Sequence, residues 1–267
     1  MKKVIFITGV SSGFGLHIAK TLSSQGHVVY GSSRKDGFQL EGVKVVKMDV
    51  NDEQEVKSTI DEIVGKEGKL DILINNAGIG LGGALQDFSE KESMIELNTN
   101  LLGVFRCSKF ALPHMISNGD GKIITIGSIA GLLALPFQGF YSASKFGVEG
   151  FLESLRYEVS KFGVKVVLVN PGDFHTGFTS NRKLIEGAKE GNYKDALEKT
   201  LAVIEKDETG GLDPAILAKK VGRIVNKKNP RHRYIIASLD QKLAVLLKRI
   251  LPSKLFYKIL ASHYKVG

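Results

Sequence analysis

A phenol and an amine four residues apart on a helix share one face, and Tyr141 and Lys145 have that spacing. Such a pair can move a proton. A tyrosine that donates to a developing alkoxide completes the reduction of a carbonyl when a hydride arrives, and in reverse it is the base. Free tyrosine, with a pKa of about 10, is too weak a base for that reverse step, so a cationic Lys145 is expected to favour the phenolate. Ser128 lies thirteen residues before Tyr141 and can hold the substrate oxygen between its hydroxyl and the phenol. Tyr157 and Lys161 repeat the spacing. If residues 140–162 form one helix, sixteen steps of about 100° turn the second pair roughly 160° away from the first. Gly147 and Gly150, which allow close packing, favour the first pair and send Tyr157 and Lys161 to a surface or subunit contact.

Short β-branched runs must carry these groups: Val4 to Thr8, Val28 to Ser32, Val43 to Met48, Leu70 to Ile74, Lys122 to Ile126 and Val164 to Val169, with Tyr234 to Ala237 as a last candidate. Their continuous apolar character predicts strands covered on both faces, and the longer stretches between them have helical spacing. Asp52 with Glu55 and Ser89 with Glu92 are spaced as capping boxes, Gly26 suits a helix end, and Asp213-Pro214 suits a helix start. The alternation predicts an α/β fold, a single Rossmann-like, doubly wound parallel sheet of about seven strands with helices on both faces.

Thr8-Gly9-Val10-Ser11-Ser12-Gly13-Phe14-Gly15 follows the first strand and opens an amphipathic helix, the context a dinucleotide-phosphate loop needs. Gly9 permits a tight turn, Gly13 a close approach of backbone to pyrophosphate, and Gly15 close packing of helix on strand. The N–H groups of the helix start then face the anion. Where NAD sites usually carry an acid after the second strand, this chain has Ser33 followed by Arg34. No carboxylate repels a 2′-phosphate there and a guanidinium can pair with it, which predicts NADP(H) over NAD(H). The competing reading makes Arg34 and Lys35 a solvated turn neutralised by Asp36.

With these motifs the chain resembles the short-chain dehydrogenase/reductase family over roughly residues 3 to 177. The glycine turn matches the family's T-G-x-x-x-G-x-G, and Asn75-Asn76-Ala77-Gly78 its N-N-A-G. The resemblance implies that Gly9, Ser11, Ser12, Gly13, Phe14 and Gly15 hold the dinucleotide phosphates and Ser33 and Arg34 the adenosine ribose. Asp49 and Val50 would contact the adenine, though a helix-start acid remains an alternative for Asp49, and Asn76, Ala77 and Gly78 would lie beside the adenine ribose. Tyr141 becomes the acid/base, Lys145 also a nicotinamide-ribose ligand, and Ser128 the group that polarises the carbonyl. Asn100 matches the member that supports a water-linked proton path; Asn98 is two residues earlier, but Gly103 favours Asn100, whose alternative is a locally bonded helix amide. Pro171, Gly172, Phe174 and Thr176 match the P-G-x-x-x-T segment beside the nicotinamide. His175, a lone loop histidine, is left out of catalysis, and no cluster of His, Cys and acids has metal-ligand spacing.

The 267 residues, 43% hydrophobic and 24% charged, exclude disorder and multiple membrane spans. One cysteine, Cys107, closes no internal disulfide, so a cytoplasmic location is expected, and the apolar run after Met1-Lys2-Lys3 meets Gly9 too soon for a signal peptide. Residues 1–238 are expected to form the dinucleotide-binding and catalytic domain, with the charged segment 178–212 as a substrate lid. Residues 239–267 are a basic amphipathic helical extension, with six Lys or Arg against Asp240 out of a net charge of +9. Leu239, Leu243, Leu246 and Ile250 form one stripe; beyond Pro252, Leu255, Phe256, Ile259 and Leu260 oppose Lys254, Lys258 and Lys265. Two readings stand: peripheral contact with a membrane, or docking onto the domain or a sister subunit.

Leu132, Leu133, Leu135, Pro136, Phe137 and Phe140, between Ser128 and Tyr141, suggest an apolar carbonyl or alcohol substrate, or else core or interface packing. In character the chain resembles the 17β-hydroxysteroid and retinol dehydrogenase-like branch, which implies a steroid-, retinoid- or lipid-like substrate. The resemblance also implies a homodimer or homotetramer. The alternative is a dinucleotide-sensing regulatory protein without physiological turnover, and the four groups Asn100, Ser128, Tyr141 and Lys145 together argue against it. Without an aromatic-interleaved basic groove, nucleic acid is not an expected partner.

Overall fold

The computed structural model describes residues 2–177 and 182–266. Seven parallel strands form the central sheet in the order β3-β2-β1-β4-β6-β7-β9. They are β1 (Val4–Ile7), β2 (Val28–Ser33), β3 (Lys44–Lys47), β4 (Ile72–Asn75), β6 (Gly121–Ile126), β7 (Val164–Pro171) and β9 (Arg233–Ile236). β1 and β4 are buried along their whole length, as a sheet covered on both faces requires. Apolar residues are buried in two layers, one around Phe6, Leu73 and Leu152, the other around Ile5, Ile74 and Leu217.

The helices are α1 (Gly13–Ser24), α2 (Glu53–Glu67), α3 (Glu90–Leu97), α4 (Gly103–Ser117), α5 (Gly139–Glu158), α6 (Lys194–Thr209), α7 (Pro214–Asn226), α8 (Leu239–Ile250) and α9 (Ser253–His263). Ser89 and Glu92 form the full capping box at α3, and Asp213 with Pro214 starts α7. At α2 the box is half-formed: Asp52 accepts the Glu55 N–H, but the Glu55 carboxylate takes the N–H of Asp49, because that loop donor lies within its reach. Buried Lys122 donates to the carbonyls of Ile224, Val225 and Lys227, satisfying the C-terminal end of α7.

Strand order reverses between β1 and β4, and the crevice beyond their carboxyl ends is where such sheets take ligands. Above it the insertion folds on itself. A two-residue strand β8 (Lys183–Leu184) pairs with β5 (Leu81–Gly82), and Leu81, Ile185, Ala188, Leu197 and Leu201 bury one another. The first four residues of the expected lid, 178–181, fall outside the described residues.

α8 and α9 pack against the loop after β6 through Val245 and Phe256, which are buried with Ile129, Leu133 and Ala237. The stripe Leu239, Leu243, Leu246 and Ile250 does not dock but is exposed, Leu239 at 83%, because the neighbouring arc of α8 with Ala244, Val245 and Leu247 meets the domain. On α9 the expected apolar face divides: Phe256 and Leu260 dock, and Leu255 and Ile259 remain outside.

Candidate active site

The glycine turn after β1 is held from the side by the end of β4. The Thr8 hydroxyl accepts the N–H groups of Asn76 and Ala77 at 2.9 and 3.0 Å, while the Asn76 amide donates to the carbonyls of Thr8 and Gly9, both at 2.9 Å. Gly9 has φ 73° and Gly13 φ 54°, conformations that side chains oppose. A Cβ on Gly15 would meet the Gly9 carbonyl at 2.1 Å, so only glycine lets α1 start this close to β1. Ser12 caps α1 without a side-chain bond, and the first turn carries no acid. Open N–H groups, the positive helix end and the absence of repelling charge together fit a dinucleotide pyrophosphate. Gly13 and Thr176 line one open groove of about 550 Å³, bounded also by His17, His175, Glu205 and Thr209. The expected pyrophosphate turn and nicotinamide segment therefore share a cleft.

At the end of β2, Ser33 is buried and its Oγ accepts the Lys35 N–H at 3.0 Å. The exposed Arg34 guanidinium lies 4.0 Å from the Asp49 carboxylate. Asp36 instead pairs with Lys47 at 2.6 Å, so Arg34 is not neutralised in the way the competing reading required. Val50 is buried and its carbonyl accepts from Arg106 at 3.2 Å. Phe174 is buried in the core, edge-on to Phe14 at 5.0 Å between ring centres, so any contact it makes with a dinucleotide is through backbone.

Ser128, Tyr141, Lys145 and Asn100 converge. Ser128, two residues past the end of β6, caps the 3₁₀ turn Ile129–Gly131 in extended backbone, and its Oγ accepts the Ala130 N–H at 3.0 Å. Its hydroxyl is also hydrogen-bonded to the phenol of Tyr141, in the first turn of α5. One turn further, buried Lys145 donates to the Ile126 carbonyl at 3.2 Å and sits 5.7 Å from the centre of the Tyr141 ring. Tyr157 is 71% exposed at the far end of α5, and Lys161 lies in the 3₁₀ turn Ser160–Phe162 beyond it, well away from this cluster.

Asn100 belongs to a π-helical turn, Asn98–Leu102, that breaks the helix between α3 and α4. Such turns re-aim side chains, and this one directs Asn100 inward. Its amide accepts the Ile79 N–H and donates to the Ile79 carbonyl, each at 2.9 Å, and donates to Ser144 at 3.1 Å. Asn98 faces elsewhere and accepts from Arg106 at 2.7 Å.

The electrostatics depart from the sequence expectation in one respect. Burial pushes the Tyr141 phenol up to about 12, with the Ser128 hydrogen bond pulling the other way. Burial also lowers Lys145 to about 8, opposed by the charge of Glu96. In the chain by itself the loss of water around the phenol, together with the charges of Glu208 and Glu96, outweighs the Ser128 hydrogen bond and the charge of Arg182, leaving Tyr141 a proton donor across the neutral range.

Three groups near the site carried no signal in the sequence. Glu96 is wholly buried one turn before Asn100, accepts the Leu81 N–H at 2.9 Å, and is pushed up to about 7 by burial. Asp173 is raised to about 7 by burial and by the charges of Glu208 and Asp207. Gln241 of α8 bonds Asp173 twice, donating to its carboxylate and accepting its N–H. The apolar run before Tyr141 divides between two walls. Leu133 is buried against α8 and α9. Phe137, at φ 56°, and Phe140 pack under the insertion and against Phe88.

The family model for short chain dehydrogenases matches residues 3–186. A Bacteroides thetaiotaomicron protein named 3-ketodihydrosphingosine reductase is 44% identical over 99% of this chain and 98% of its own. Human 17-beta-hydroxysteroid dehydrogenase type 1 is 36% identical over 66% of this chain and 58% of its own. Among solved structures, a short-chain dehydrogenase from Streptomyces avermitilis superposes with a TM-score of 0.82 at 26% identity, covering 100% of this chain and 98% of that one. A short-chain dehydrogenase/reductase from Burkholderia phymatum in complex with NAD gives 0.80 at 25% identity, covering 93% of each. ElxO with NADP bound gives 0.72 at 28% identity, covering 88% and 96%.

Proposed function

We propose, from the premise that the chain belongs to the short-chain dehydrogenase family, that it is an NADP(H)-dependent reductase of a long-chain, lipid-like ketone. The observation that carries this reading is the convergence of Ser128, Tyr141, Lys145 and Asn100, with the Lys145 ammonium 5.7 Å from the centre of the Tyr141 ring and Asn100 joined to the Tyr141 backbone through Ser144. A phenol protonated throughout the neutral range is suited to give a proton to the oxygen of a carbonyl, which supports the reductive reading. Ser128 holds that oxygen where negative charge develops. Lys145 stabilises the phenolate left behind, and Asn100, through Ser144, keeps the first turn of α5 in register. A bound dinucleotide supplies the hydride.

Arg34, next to Ser33 with no carboxylate at the end of β2, supports NADP(H); a 2′-phosphate would take the guanidinium from Asp49, which lies 4.0 Å away. The name of the Bacteroides relative supports a substrate with a long hydrocarbon chain. A cytoplasmic protein assembled as a homodimer or homotetramer completes the reading, supported by Phe105 and Phe146, which α4 and α5 leave exposed. The test is oxidation of NADPH and of NADH against long-chain 3-ketones, steroid ketones and small aldehydes. Turnover with NADPH, fastest on the long-chain ketones, is expected. Failure on every carbonyl, with dinucleotide still bound, would replace the reductase by a dinucleotide sensor.

A further inference from the structure

The exposed stripe on α8 is not accounted for by the reductase chemistry. Leu239, Leu243, Leu246 and Ile250 lie within one narrow arc of the helix and are all exposed, and Leu255, Tyr257 and Ile259 continue the apolar exposure on α9. Water around so many neighbouring large side chains is unfavourable, and such a face marks a surface that something covers. Exposed Lys242 and Arg249 flank one edge of the α8 stripe, and Lys254 and Lys258 are exposed on α9. Beside them an open groove of about 730 Å³ gathers Lys199, Lys258 and Lys265 around Tyr257. Among the described residues no helix is long and apolar enough to cross a membrane.

We propose that α8 and α9 form a landing surface for an anionic lipid bilayer, with the leucine stripe in the acyl boundary and the lysines on the headgroups. The charge pattern selects this occupant. An apolar face with a cationic rim is complementary to anionic lipid, where each lysine or arginine adds to the attraction. A two-fold contact with a second copy would instead bring Lys242 and Arg249 against their own equivalents, with Asp240 as the single exposed acid of α8.

The same helices wall the site. Val245 and Phe256 bury Ile129 and Leu133 next to Ser128, and Gln241 grips Asp173 in the segment that ends at Thr176. A chain resting on this face would hold its active-site wall at the bilayer, from which a long-chain ketone could enter without crossing water. That last step rests on the lipid-ketone reading of the site; the landing surface does not.

Sedimentation of the full-length protein with vesicles of phosphatidylglycerol or of phosphatidylcholine tests the surface. Binding to phosphatidylglycerol is expected, weaker on phosphatidylcholine, and reduced at least about tenfold by Leu243→Glu with Leu246→Glu and by Lys242→Glu with Arg249→Glu. Reduction of a detergent-dispersed ketone should be unchanged in both variants, which shows that they fold. The proposal is overturned if the unaltered protein ignores phosphatidylglycerol vesicles, if the substitutions leave binding intact, or if they abolish self-association in its place. Absent turnover with vesicle binding retained would sink the reductase reading and leave the landing surface standing.

Discussion

Ser144 joins Asn100 to Tyr141: its hydroxyl accepts from the Asn100 amide at 3.1 Å and donates to the Tyr141 carbonyl at 2.7 Å. A π-helical turn on one side of the site thus fixes the backbone that carries the phenol on the other. Replacing Asn100 by alanine leaves the Ile79 peptide and Ser144 without this partner in a buried setting. Turnover should fall about 10- to 100-fold with dinucleotide affinity little changed, while Ser144→Ala should fall less. Steady-state rates beside dinucleotide titrations check both.

Arg34 is the side chain placed to choose between dinucleotides. Arg34→Glu should weaken NADPH binding about tenfold or more and spare NADH, because a carboxylate repels the 2′-phosphate and accepts ribose hydroxyls. Titration of intrinsic tyrosine fluorescence with each dinucleotide measures the change. Equal losses for both would remove Arg34 from the selection.

Lys145, lowered to about 8 by burial, should set the alkaline limb of activity. Below that value the ammonium stabilises the phenolate formed on proton donation; above it the amine is neutral and the stabilisation is lost. The reduction rate should therefore hold through neutral pH and decline as pH rises past about 8. A rate that rises above that pH would contradict this assignment.

Glu96 gives a stability prediction of definite sign. Its carboxyl is raised by burial to about 7, so the folded chain holds a proton that the unfolded chain releases near the ordinary carboxylate range. The native state then loses stability as pH climbs from about 4.5 to about 7, and the loss is complete above that. Glu96→Gln keeps an acceptor for the Leu81 N–H and should unfold at higher temperature than the parent at pH above 7, by about 1–3 kcal/mol, with the gap closing in acid. Thermal melts across pH decide it.

Six strands of the sheet were legible because continuous β-branched runs announce a doubly covered strand, with the seventh only a candidate. Helix geometry said that Tyr141 and Tyr157 face different ways, and the fold brings Tyr141, not Tyr157, beside Ser128 and Lys145. The pairing of Leu81–Gly82 with Lys183–Leu184 was not legible, since two residues have no period. Glu96 looks like any charged residue of an amphipathic helix until the fold buries it. The stripe from Leu239 to Ile250 shows the limit of periodicity: it reveals that a helix has an apolar face, but tertiary contacts decide which arc docks. Here the adjoining arc with Val245 does.

The central claim is that the Tyr141 phenol delivers the proton. Tyr141→Phe removes the hydroxyl and keeps the ring against Lys145, so NADPH-dependent ketone reduction should fall about a thousandfold or more while NADPH affinity stays within a factor of about three. Reduction that survives at the parent rate would mean that another group supplies the proton, and the account of the site would be wrong.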